Sequence, residues 1–295
     1  MTKEDFFNYI RDLCLKSMLY EVTVAPKPGL VDRFNSGAHM DMDIFTFMDS
    51  SLSLNTYFYD CVKLGYEFDV NDYTNILKAL RPIGIKAEEK MFKATNGVNT
   101  HKGLIFSLGI ISAAAGVIYR KTNNIYIDEL EISKLVKEIT KGLTDELLDI
   151  ENKEKLTYGE RLYKRYGVKG VRGEAESGFS TVMKYSLPKL KYLMEDNKYH
   201  INDVLVNVLL NLMANTEDSN ILGRHDMETL ILVHKTSQNA LSLGGYLTDE
   251  GQSYVKRMDK DFIENNISPG GSADLLAITI MLYMLEHGDD LRGGK

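Results

Sequence analysis

The stretch KGLIFSLGIISAAAGVIYRK, residues 102–121, decides the fold class of this chain. It is almost entirely apolar and long enough for about five turns of α-helix. Gly109, Ala113 and Gly116 are spaced by four and then three residues, so they form a narrow stripe on one face. Because a glycine inside a helix costs about 1 kcal/mol relative to alanine, this stripe indicates close packing against another helix. We expect residues 102–121 to lie at the centre of an all-α protein.

Apolar residues at three-and-four spacing predict helices along the rest of the chain. The first helix ends before Pro26, the second runs from a capping Asp43 to Gly65, and the third is interrupted at Pro82. Only Ile125–Ile127 alternates like a strand. Further helices are predicted over 102–121, 128–151, 157–166, 174–195, 201–214, 226–243, 249–265 and 271–286, which gives a bundle of roughly ten to twelve helices.

The composition is that of a globular protein and places limits on its partners. The 295 residues are 44% hydrophobic and 26% charged, and no Gly/Ser/Pro-rich linker divides them, so we expect one catalytic domain over residues 1–295. A net charge of −7 offers no basic field for nucleic acid or an anionic membrane. The charged N-terminus lacks a signal peptide's apolar core, no apolar stretch is judged long enough for a membrane span, and Cys14 and Cys61 are expected as buried free thiols. Together these features predict a cytoplasmic protein.

Six polar, glycine-containing segments lie at junctions between the predicted helices. Helix connections need one glycine or one capping side chain, whereas these junctions combine cations, carboxylates and small residues. Each one alone is also compatible with a capping turn or a solvated loop. The chain has no GxxxxGK[ST], no GxGxxG after a strand and no HExxH. The six segments, gathered at one end of the bundle, predict a small-molecule site: PKPGLVD (26–32), GAHMDMD (37–43), GVNTHKG (97–103), GVRGEAESGF (170–179), EDSNILGRH (217–225) and SPGGSAD (268–274).

The segment GVNTHKG predicts an anion site at a helix N-terminus. Asn99 or Thr100 serves as the N-cap, which leaves first-turn amides free at the positive end of the helix dipole, with Lys102 beside them. Glu88, on the preceding helix, is three residues before Met91 and is therefore expected to face inward.

The segment SPGGSAD predicts a second site of the same kind. Ser268 is expected to cap the last helix, with Pro269 at its first helical position. Gly270 and Gly271 would allow a ligand to approach the backbone closely.

Two further junctions supply charge of both signs. Arg172 can hold phosphate bidentately, and only one of Glu174 and Glu176 is expected to face the site because residues two apart diverge on a helix. Asp218 can bind a hard cation such as Mg²⁺, and Arg224 can reach phosphate.

The remaining two junctions lie near the N-terminus and leave alternatives open. His39, Asp41 and Asp43 alternate and can form a metal site, although Asp43 is equally a plain N-cap. Lys27 and Asp32 flank a proline-glycine turn, which is compatible with a site or with a surface turn.

These segments resemble the motifs of the triphosphoribosyl-dephospho-CoA synthase family. The resemblance is carried by EVTVAPKPGLVDRFNSGAHMDMD, GVNTHKGLIFSLG, GVRGEAESGF, EDSNILGRH and NNISPGGSADLLA. The match is collinear over about residues 20–280. One departure is visible after Arg224, where His225 and Asp226 replace expected glycines, and its effect on the turn and on substrate preference is left open.

The resemblance implies an all-α enzyme that uses ATP and 3′-dephospho-CoA. Such an enzyme transfers the triphosphoribosyl unit to a ribose 2′-hydroxyl and releases adenine. The product is the precursor of the prosthetic group of the citrate lyase acyl carrier protein, or of malonate decarboxylase in a sister branch. The implied downstream partners are holo-acyl-carrier-protein synthase and the citrate lyase acyl carrier protein, while the state of assembly, including a homo-oligomer, stays open.

This chemistry gives the candidate residues expected roles. Cleavage of the N-glycosidic bond passes through an oxocarbenium-like state that carboxylates stabilise, and a retained triphosphate requires cations, helix amides and Mg²⁺. The expected catalytic residues are Asp32, His101, Glu174 and Asp274; the phosphate-binding residues are Lys27, Asn99, Thr100, Lys102, Arg172, Arg224, Ser268, Gly270 and Gly271; and the Mg²⁺ ligands are Glu88 and Asp218.

Two other classes of protein fit parts of the sequence. A Mg²⁺-dependent all-α N-glycoside hydrolase acting on ADP-ribose or nucleotides would use water as acceptor and would not depend on dephospho-CoA. A non-enzymatic, helical nucleotide-sensing module would have dispersed polar junctions and no convergent pocket.

Overall fold

The computed structural model describes residues 1–69, 72–148, 155–195 and 198–291, and this part of the chain is all-α, as predicted. It contains fourteen α-helices and no strand. Short 3₁₀ helices follow α6 and α12, at Leu143–Leu147 and Gly245–Leu247, and a π-helical turn, Val182–Ser186, leads into α9. The α-helices are α1 Lys3–Thr23, α2 Ile44–Ser53, α3 Asn55–Glu67, α4 Thr74–Ala94, α5 Lys102–Thr122, α6 Glu129–Thr140, α7 Tyr158–Tyr166, α8 Gly170–Glu176, α9 Leu187–Glu195, α10 Ile201–Met213, α11 Ser219–Arg224, α12 Met227–Ser242, α13 Asp249–Glu264 and α14 Gly270–His287.

Helix α5 is the central element, and its small residues lie where the sequence predicts close packing. It contacts α1, α3, α4, α6, α8 and α14, and the contact with α3 is the most extensive. A β-carbon on Gly109 would overlap the Tyr57 hydroxyl, and one on Gly116 would overlap the α3 backbone at Val62. The Tyr57 hydroxyl donates a 2.8 Å hydrogen bond to the Ile105 carbonyl across this interface. The stripe therefore allows α3 and α5 to pack almost backbone to backbone.

Helix α5 is also the one helix in the described ranges that is long and apolar enough to cross a membrane, although no such stretch is predicted from the sequence. In the structure 83% of its most apolar 18-residue window is buried within the protein. That environment is typical of the core helix of a helical bundle.

Several predicted helix boundaries are wrong for local reasons. Helix α4 continues through Pro82 without interruption; a proline costs about 3 kcal/mol inside a helix, and the burial of apolar side chains along α4 offsets that cost. The second predicted helix divides at Leu54 into α2 and α3. The helix predicted over 128–151 ends at Thr140, because Gly142 adopts φ 80° and turns the chain; its last three residues, 149–151, lie outside the described part.

Two other predictions concern single features of the core. Cys14 and Cys61 are buried free thiols, as predicted. Burial raises the pKa of Cys14 to about 12, so this thiol is chemically inert at neutral pH. The strand-like Ile125–Ile127 is not a strand; the Ile127 amide instead donates a 2.8 Å hydrogen bond to the Leu285 carbonyl of α14.

The loop between α1 and α2 crosses the end of the bundle at which α5, α11 and α14 begin. Asn202 of α10 holds its first residues: the Asn202 side chain accepts from the Ala25 amide at 3.0 Å and donates to the Ala25 carbonyl at 2.8 Å. Asp259 of α13 accepts from the Gly29 amide at 3.0 Å. Gly29, at φ 71°, leaves no room for a β-carbon against the Ile267 carbonyl. These contacts fix the position of Lys27 and its neighbours.

Candidate functional site

A cluster of buried charged groups lies where the N-termini of α5, α11 and α14 meet the loop after α1. We call it the inner cluster, and it consists of Glu21, Lys27, His101, Asp218 and Asp274. Four of the five are at most 3% exposed, and Asp274 lies at the partly accessible edge. The inner cluster therefore combines three carboxylates with one lysine, in a region where unpaired charge is strongly disfavoured.

The Lys27 ammonium forms a buried ion pair with Glu21. Burial raises the pKa of Glu21, while the Lys27 charge acts in the opposite direction. Glu21 is not among the site residues predicted from the sequence, although a signal was present: it follows Met18 by three residues and so lies on the buried face of α1. A carboxylate at an apolar position is informative because charged residues are almost never fully buried without a partner.

Asp32 closes the loop that carries Lys27. Its carboxylate accepts hydrogen bonds from the amides of Lys27 (3.1 Å), Phe34 (2.7 Å) and Asn35 (3.1 Å). These bonds satisfy the buried Lys27 amide and two amides of the exposed turn that follows Asp32. The geometry therefore places Asp32 under Lys27 as a support, and its predicted catalytic role stays a prediction.

Asp274, near the start of α14, has no hydrogen bond or ion pair to any described residue. Gly103 of α5 lies directly against its Oδ2 atom, where a β-carbon would overlap it. Burial, and then the nearby charges of Glu21 and Asp218, raise the pKa of Asp274 well above its usual value. Asp274 is thus a carboxyl group with free acceptor oxygens and an unusually high proton affinity.

Asp218 caps two helices at once. Its Oδ1 accepts from the amides of Asn220 in α11 (3.0 Å) and Gly271 in α14 (3.1 Å), and its Oδ2 accepts from the Ser272 amide at 2.8 Å. Burial raises its pKa, with these amides acting in the opposite direction. Gly271 faces the carboxylate at 3.0 Å from where its β-carbon would be. The close approach predicted for a ligand at this glycine is made here by a protein side chain.

The cap predicted for α14 is therefore wrong in detail. Pro269, not Ser268, occupies the N-cap position, and Asp218 supplies the capping carboxylate. Ser268 Oγ instead lies 2.8 Å from His39 Nε2. Gly270 packs against the Asn220 side chain. The α14 amides of Gly271 and Ser272 are already bonded, so they are not free donors in this arrangement.

His39 links two predicted phosphate-binding residues, Ser268 and Arg224. Arg224 Nη2 donates to His39 Nδ1 at 3.3 Å, and burial followed by the Arg224 charge lowers the pKa of His39. Asp41 lies 3.8 Å from His39 at the surface. Asp43 caps α2 through the Thr46 amide, so the plain N-cap alternative for Asp43 is confirmed.

The segment GVNTHKG folds as an N-terminal turn with its polar side chains divided. Asn99 Oδ1 accepts from the Lys102 amide at 3.3 Å, so Asn99 makes a capping contact, while Thr100 donates to Ser50 Oγ at 2.7 Å. The exposed Lys102 ammonium lies 2.8 Å from Glu88 Oε2. Glu88 is partly buried, in agreement with its predicted inward orientation.

His101, and not the predicted Asn99 or Thr100, occupies the N-cap position of α5, and it is 1% exposed. Its Nδ1 lies 2.7 Å from Ser50 Oγ, and the ring of Phe47 meets its ring edge to face, with centroids 5.0 Å apart. Burial, and then the Lys27 charge, lower the pKa of His101 to about 3. Its Nε2 is buried and has no partner among the described residues. His101 is thus a neutral imidazole with one nitrogen unused.

The side chains of α8 diverge, as predicted from their spacing. Glu174 accepts a hydrogen bond from Thr181 Oγ at 2.5 Å. Burial raises the pKa of Glu174, and the hydrogen bond from Thr181 opposes this rise only in part. Arg172 lies 3.6 Å from Glu146, on the turn after α6 rather than in the inner cluster. Glu176 points the other way, to the Gly142 amide. It lines a separate surface cavity of about 640 Å³ together with Asp72, Tyr73, Thr74, Glu138, Lys141, Gly142 and Asp145.

His225 and Asp226 give the turn after α11 its own stabilising contacts. Asp226 caps α12 by accepting from the Thr229 amide at 2.9 Å, and this bond lowers its pKa. His225 Nε2 donates to the Asn266 carbonyl at 2.9 Å. The departure from glycine therefore ties the α11–α12 turn to the segment that precedes α14.

The chain is similar to known proteins over nearly its whole length. The family described as CitG: ATP:dephospho-CoA triphosphoribosyl transferase matches residues 7–293. A probable 2-(5″-triphosphoribosyl)-3′-dephosphocoenzyme-A synthase of Lactiplantibacillus plantarum is 40% identical, covering 91% of this chain and 94% of that protein. A protein of the same name from Vibrio cholerae serotype O1 (strain M66-2) is 42% identical, covering 92% and 87%.

Protein CitXG of Leuconostoc mesenteroides subsp. cremoris is 41% identical over 92% of this chain, which spans 58% of that longer protein. No solved structure matches this chain. The family match over nearly the whole chain, together with relatives at about 40% identity, shows that the chain belongs to the CitG family of ATP:dephospho-CoA triphosphoribosyl transferases.

Proposed function

We propose that this protein transfers the triphosphoribosyl group of ATP to the ribose 2′-hydroxyl of 3′-dephospho-CoA. The bond between the ribose C1′ of ATP and adenine breaks, and a bond from C1′ to the acceptor 2′-oxygen forms. Adenine leaves with the bonding electron pair and takes up a proton, while the acceptor hydroxyl loses one. Family membership supports the reaction, and the observation that carries the site is Asp274, an unpartnered carboxyl group in a buried charged cluster.

Asp274 is the proposed general base and charge stabiliser. Of the expected catalytic carboxylates, Asp32 is occupied by three backbone amides and Glu174 by Thr181. Asp274 alone of these three has both oxygens free of hydrogen bonds from the described residues. A carboxylate with raised proton affinity is suited to accept the proton of a hydroxyl group. In its ionised form, Asp274 would also stabilise the positive charge that develops on the ribose.

The triphosphate is proposed to bind across the N-terminus of α5. Lys102 is exposed and next to the first-turn amides, which carry the positive end of the helix dipole. Lys27 supplies a buried positive charge below it, and Arg224 a further one at the edge of the site. Asn99 and Thr100 stay predicted contacts, as do Arg172, Ser268, Gly270 and Gly271.

Mg²⁺ is proposed to accompany the triphosphate, and the donor chemistry of the site fits this ion. Glu88 contacts Lys102 through Oε2 only, so Oε1 is available as an oxygen ligand. Asp218, the second predicted ligand, uses both oxygens to cap α11 and α14, which favours a supporting role for it. Bound Mg²⁺ would neutralise phosphate charge. It would also compensate the excess of carboxylates in the inner cluster.

The wider setting of the protein is proposed from the same reasoning. The chain would act in the cytoplasm. It would form one catalytic domain spanning residues 1–295, because α10 and α13 hold the loop that follows α1. Its product would be the prosthetic-group precursor of the citrate lyase acyl carrier protein, taken up by holo-acyl-carrier-protein synthase. Assembly into a homo-oligomer stays a prediction.

The test is to incubate the protein with ATP, MgCl₂ and 3′-dephospho-CoA and to measure adenine by chromatography and the coupled product by mass spectrometry. We expect adenine and product in equal amounts, with neither formed when dephospho-CoA or the divalent cation is left out. Adenine release that needs no dephospho-CoA would indicate the hydrolase alternative. Absence of adenine under every metal condition would contradict the proposed transfer.

A further inference from the structure

A chain of three hydrogen-bonding side chains leads from the surface of the site to the buried nitrogen of His101. The Thr100 hydroxyl donates to Ser50 Oγ at 2.7 Å, and Ser50 Oγ lies 2.7 Å from His101 Nδ1. Ser50 is fully buried on α2, so no solvent competes for its hydroxyl. The three residues bring together two segments that are about fifty residues apart in sequence.

The direction of this chain determines which nitrogen of His101 carries a proton. Because Ser50 Oγ accepts from Thr100, its own hydrogen is free to donate, and the only acceptor within reach among the described residues is His101 Nδ1. A nitrogen that accepts a hydrogen bond carries no proton, and a neutral imidazole then holds its proton on the other nitrogen. This arrangement favours the Nε2–H tautomer of His101.

The protonated Nε2 has nothing in the described protein to donate to. It is fully buried, and a buried donor without an acceptor is disfavoured. The Lys27 ammonium lies close enough to act on the ring electrostatically. A positive charge and a free N–H group at a helix N-terminus together favour an anionic oxygen as the missing partner.

We propose that Ser50 is a positioning residue that, with Thr100, holds His101 as a neutral Nε2–H donor to an anionic oxygen of the bound polyphosphate. This rests on the proposed function, because ATP supplies the oxygen. Its consequence is that His101 orients the nucleotide by a hydrogen bond and does not itself pass a full proton to the departing adenine. We call the hydrogen-bonded series Thr100–Ser50–His101 the relay. It is present without a ligand, so its effect on the His101 tautomer is visible in the ligand-free protein.

The test combines ¹⁵N–¹H NMR of histidine-labelled protein with steady-state kinetics, using the His101→Gln spectrum to assign the ring. In the wild type we expect an unprotonated Nδ1 and a protonated Nε2 throughout neutral pH, with the Nε2–H resonance shifting when ATP alone is added. Ser50→Ala removes the hydrogen bond between Ser50 Oγ and His101 Nδ1, so we expect both tautomers of His101 in this variant. We expect its kcat to be lowered by about tenfold. Deleting an oriented donor altogether costs roughly 100-fold, and this variant keeps the His101 ring.

Two further variants distinguish the effect of losing these hydrogen bonds from the effect of disturbed packing around α2. Ser51→Ala is the matched control, because Ser51 is equally buried on α2 but its hydroxyl donates only to the Phe47 carbonyl of its own helix; it should keep the wild-type tautomer and rate. Thr100→Val removes the first donor without altering α2, and should populate the Nδ1–H tautomer.

A wild-type spectrum with a protonated Nδ1 would overturn the inference, and so would a Ser50→Ala variant that keeps both the tautomer and kcat. If the protein released no adenine while the tautomer and its ATP response were as expected, the proposed reaction would fail and the relay would stand.

Discussion

Gly103 of α5 and Asp274 of α14 lie in direct contact, and the space between the two helices at this point has room for a hydrogen atom but not for a methyl group. The contact sets where the unpartnered carboxyl group of Asp274 can point. Since the overlapping atoms are the far end of a side chain, an added methyl would displace the carboxylate and not the helices.

Gly103→Ala should therefore lower activity without unfolding the protein. We expect kcat to fall at least tenfold, while the free energy of unfolding stays equal or rises by up to about 1 kcal/mol because alanine is the better helix former. Gly84→Ala in α4 is the matched control, since its β-carbon would meet only the Tyr57 hydroxyl at an ordinary 3.7 Å. Equal activity of the two variants would show that the position of Asp274 does not matter.

Asp274→Asn should separate activity from stability. Loss of the base is expected to lower kcat by about 10²–10⁴-fold. The pKa of Asp274 is raised in the folded protein, so the native state retains a proton that the unfolded chain loses. The stability of the wild type relative to the variant is therefore greatest below the unfolded pKa and declines as the pH rises through the folded pKa.

Urea denaturation of both proteins at acidic and alkaline pH checks this sign. The stability difference should move in favour of Asp274→Asn as the pH increases. A difference that is independent of pH would show that the carboxyl group is not buried as described.

Lys27→Met should destabilise the fold because it leaves Glu21 as an uncompensated buried charge. We expect a loss of about 3–5 kcal/mol in the free energy of unfolding. The double variant Lys27→Met with Glu21→Gln should recover part of this loss, as a double-mutant cycle would show. The exposed pair Lys3–Glu4 offers the control, since Lys3→Met should change stability by less than about 1 kcal/mol. Additive effects at Lys27 and Glu21 would contradict the buried pair.

Gly65→Ala tests the packing of α3 on α5. Its β-carbon would overlap the Ala113 carbonyl, and a backbone atom cannot rotate aside. One helix must move, which costs about 1–3 kcal/mol, measurable as a lowered Tm. Gly84→Ala again serves as the comparison, because it adds the same methyl to a helix without a close neighbour. A neutral Gly65→Ala would mean that the two helices are farther apart.

The sequence was sufficient to predict the fold class and the central position of α5, because Gly109, Ala113 and Gly116 carry the packing pattern in a single helix. It also singled out Lys27, His101, Asp218 and Asp274, which lie together in the inner cluster, but it grouped Arg172 with them although that side chain lies beside Glu146. It could not show which hydrogen bonds those residues make. Asp218 caps α14 from 53 positions away, and no local pattern distinguishes such a cap from a metal ligand.

Other parts of the site were hidden for a related reason. In the sequence, Glu21 is an ordinary position of α1, and its role depends on the ion pair with Lys27 that the tertiary fold creates. Ser50 resembles an ordinary helical serine until His101 lies beside it. In each case the chemistry depends on a partner whose position is set by the tertiary fold, not by the spacing along one segment.

The loop after α1 is held by Asn202 and Asp259, and this has a consequence for how the protein can be divided. A fragment ending before α7 would contain Lys27, Asp32 and His101, yet it would lack Asn202 and Asp259, which hold the loop after α1, and it would lack the Asp274 carboxylate. The remaining fragment would contain Asn202 and Asp259 without the loop that they hold. We therefore expect neither fragment to release adenine by itself, whereas the undivided chain should do so.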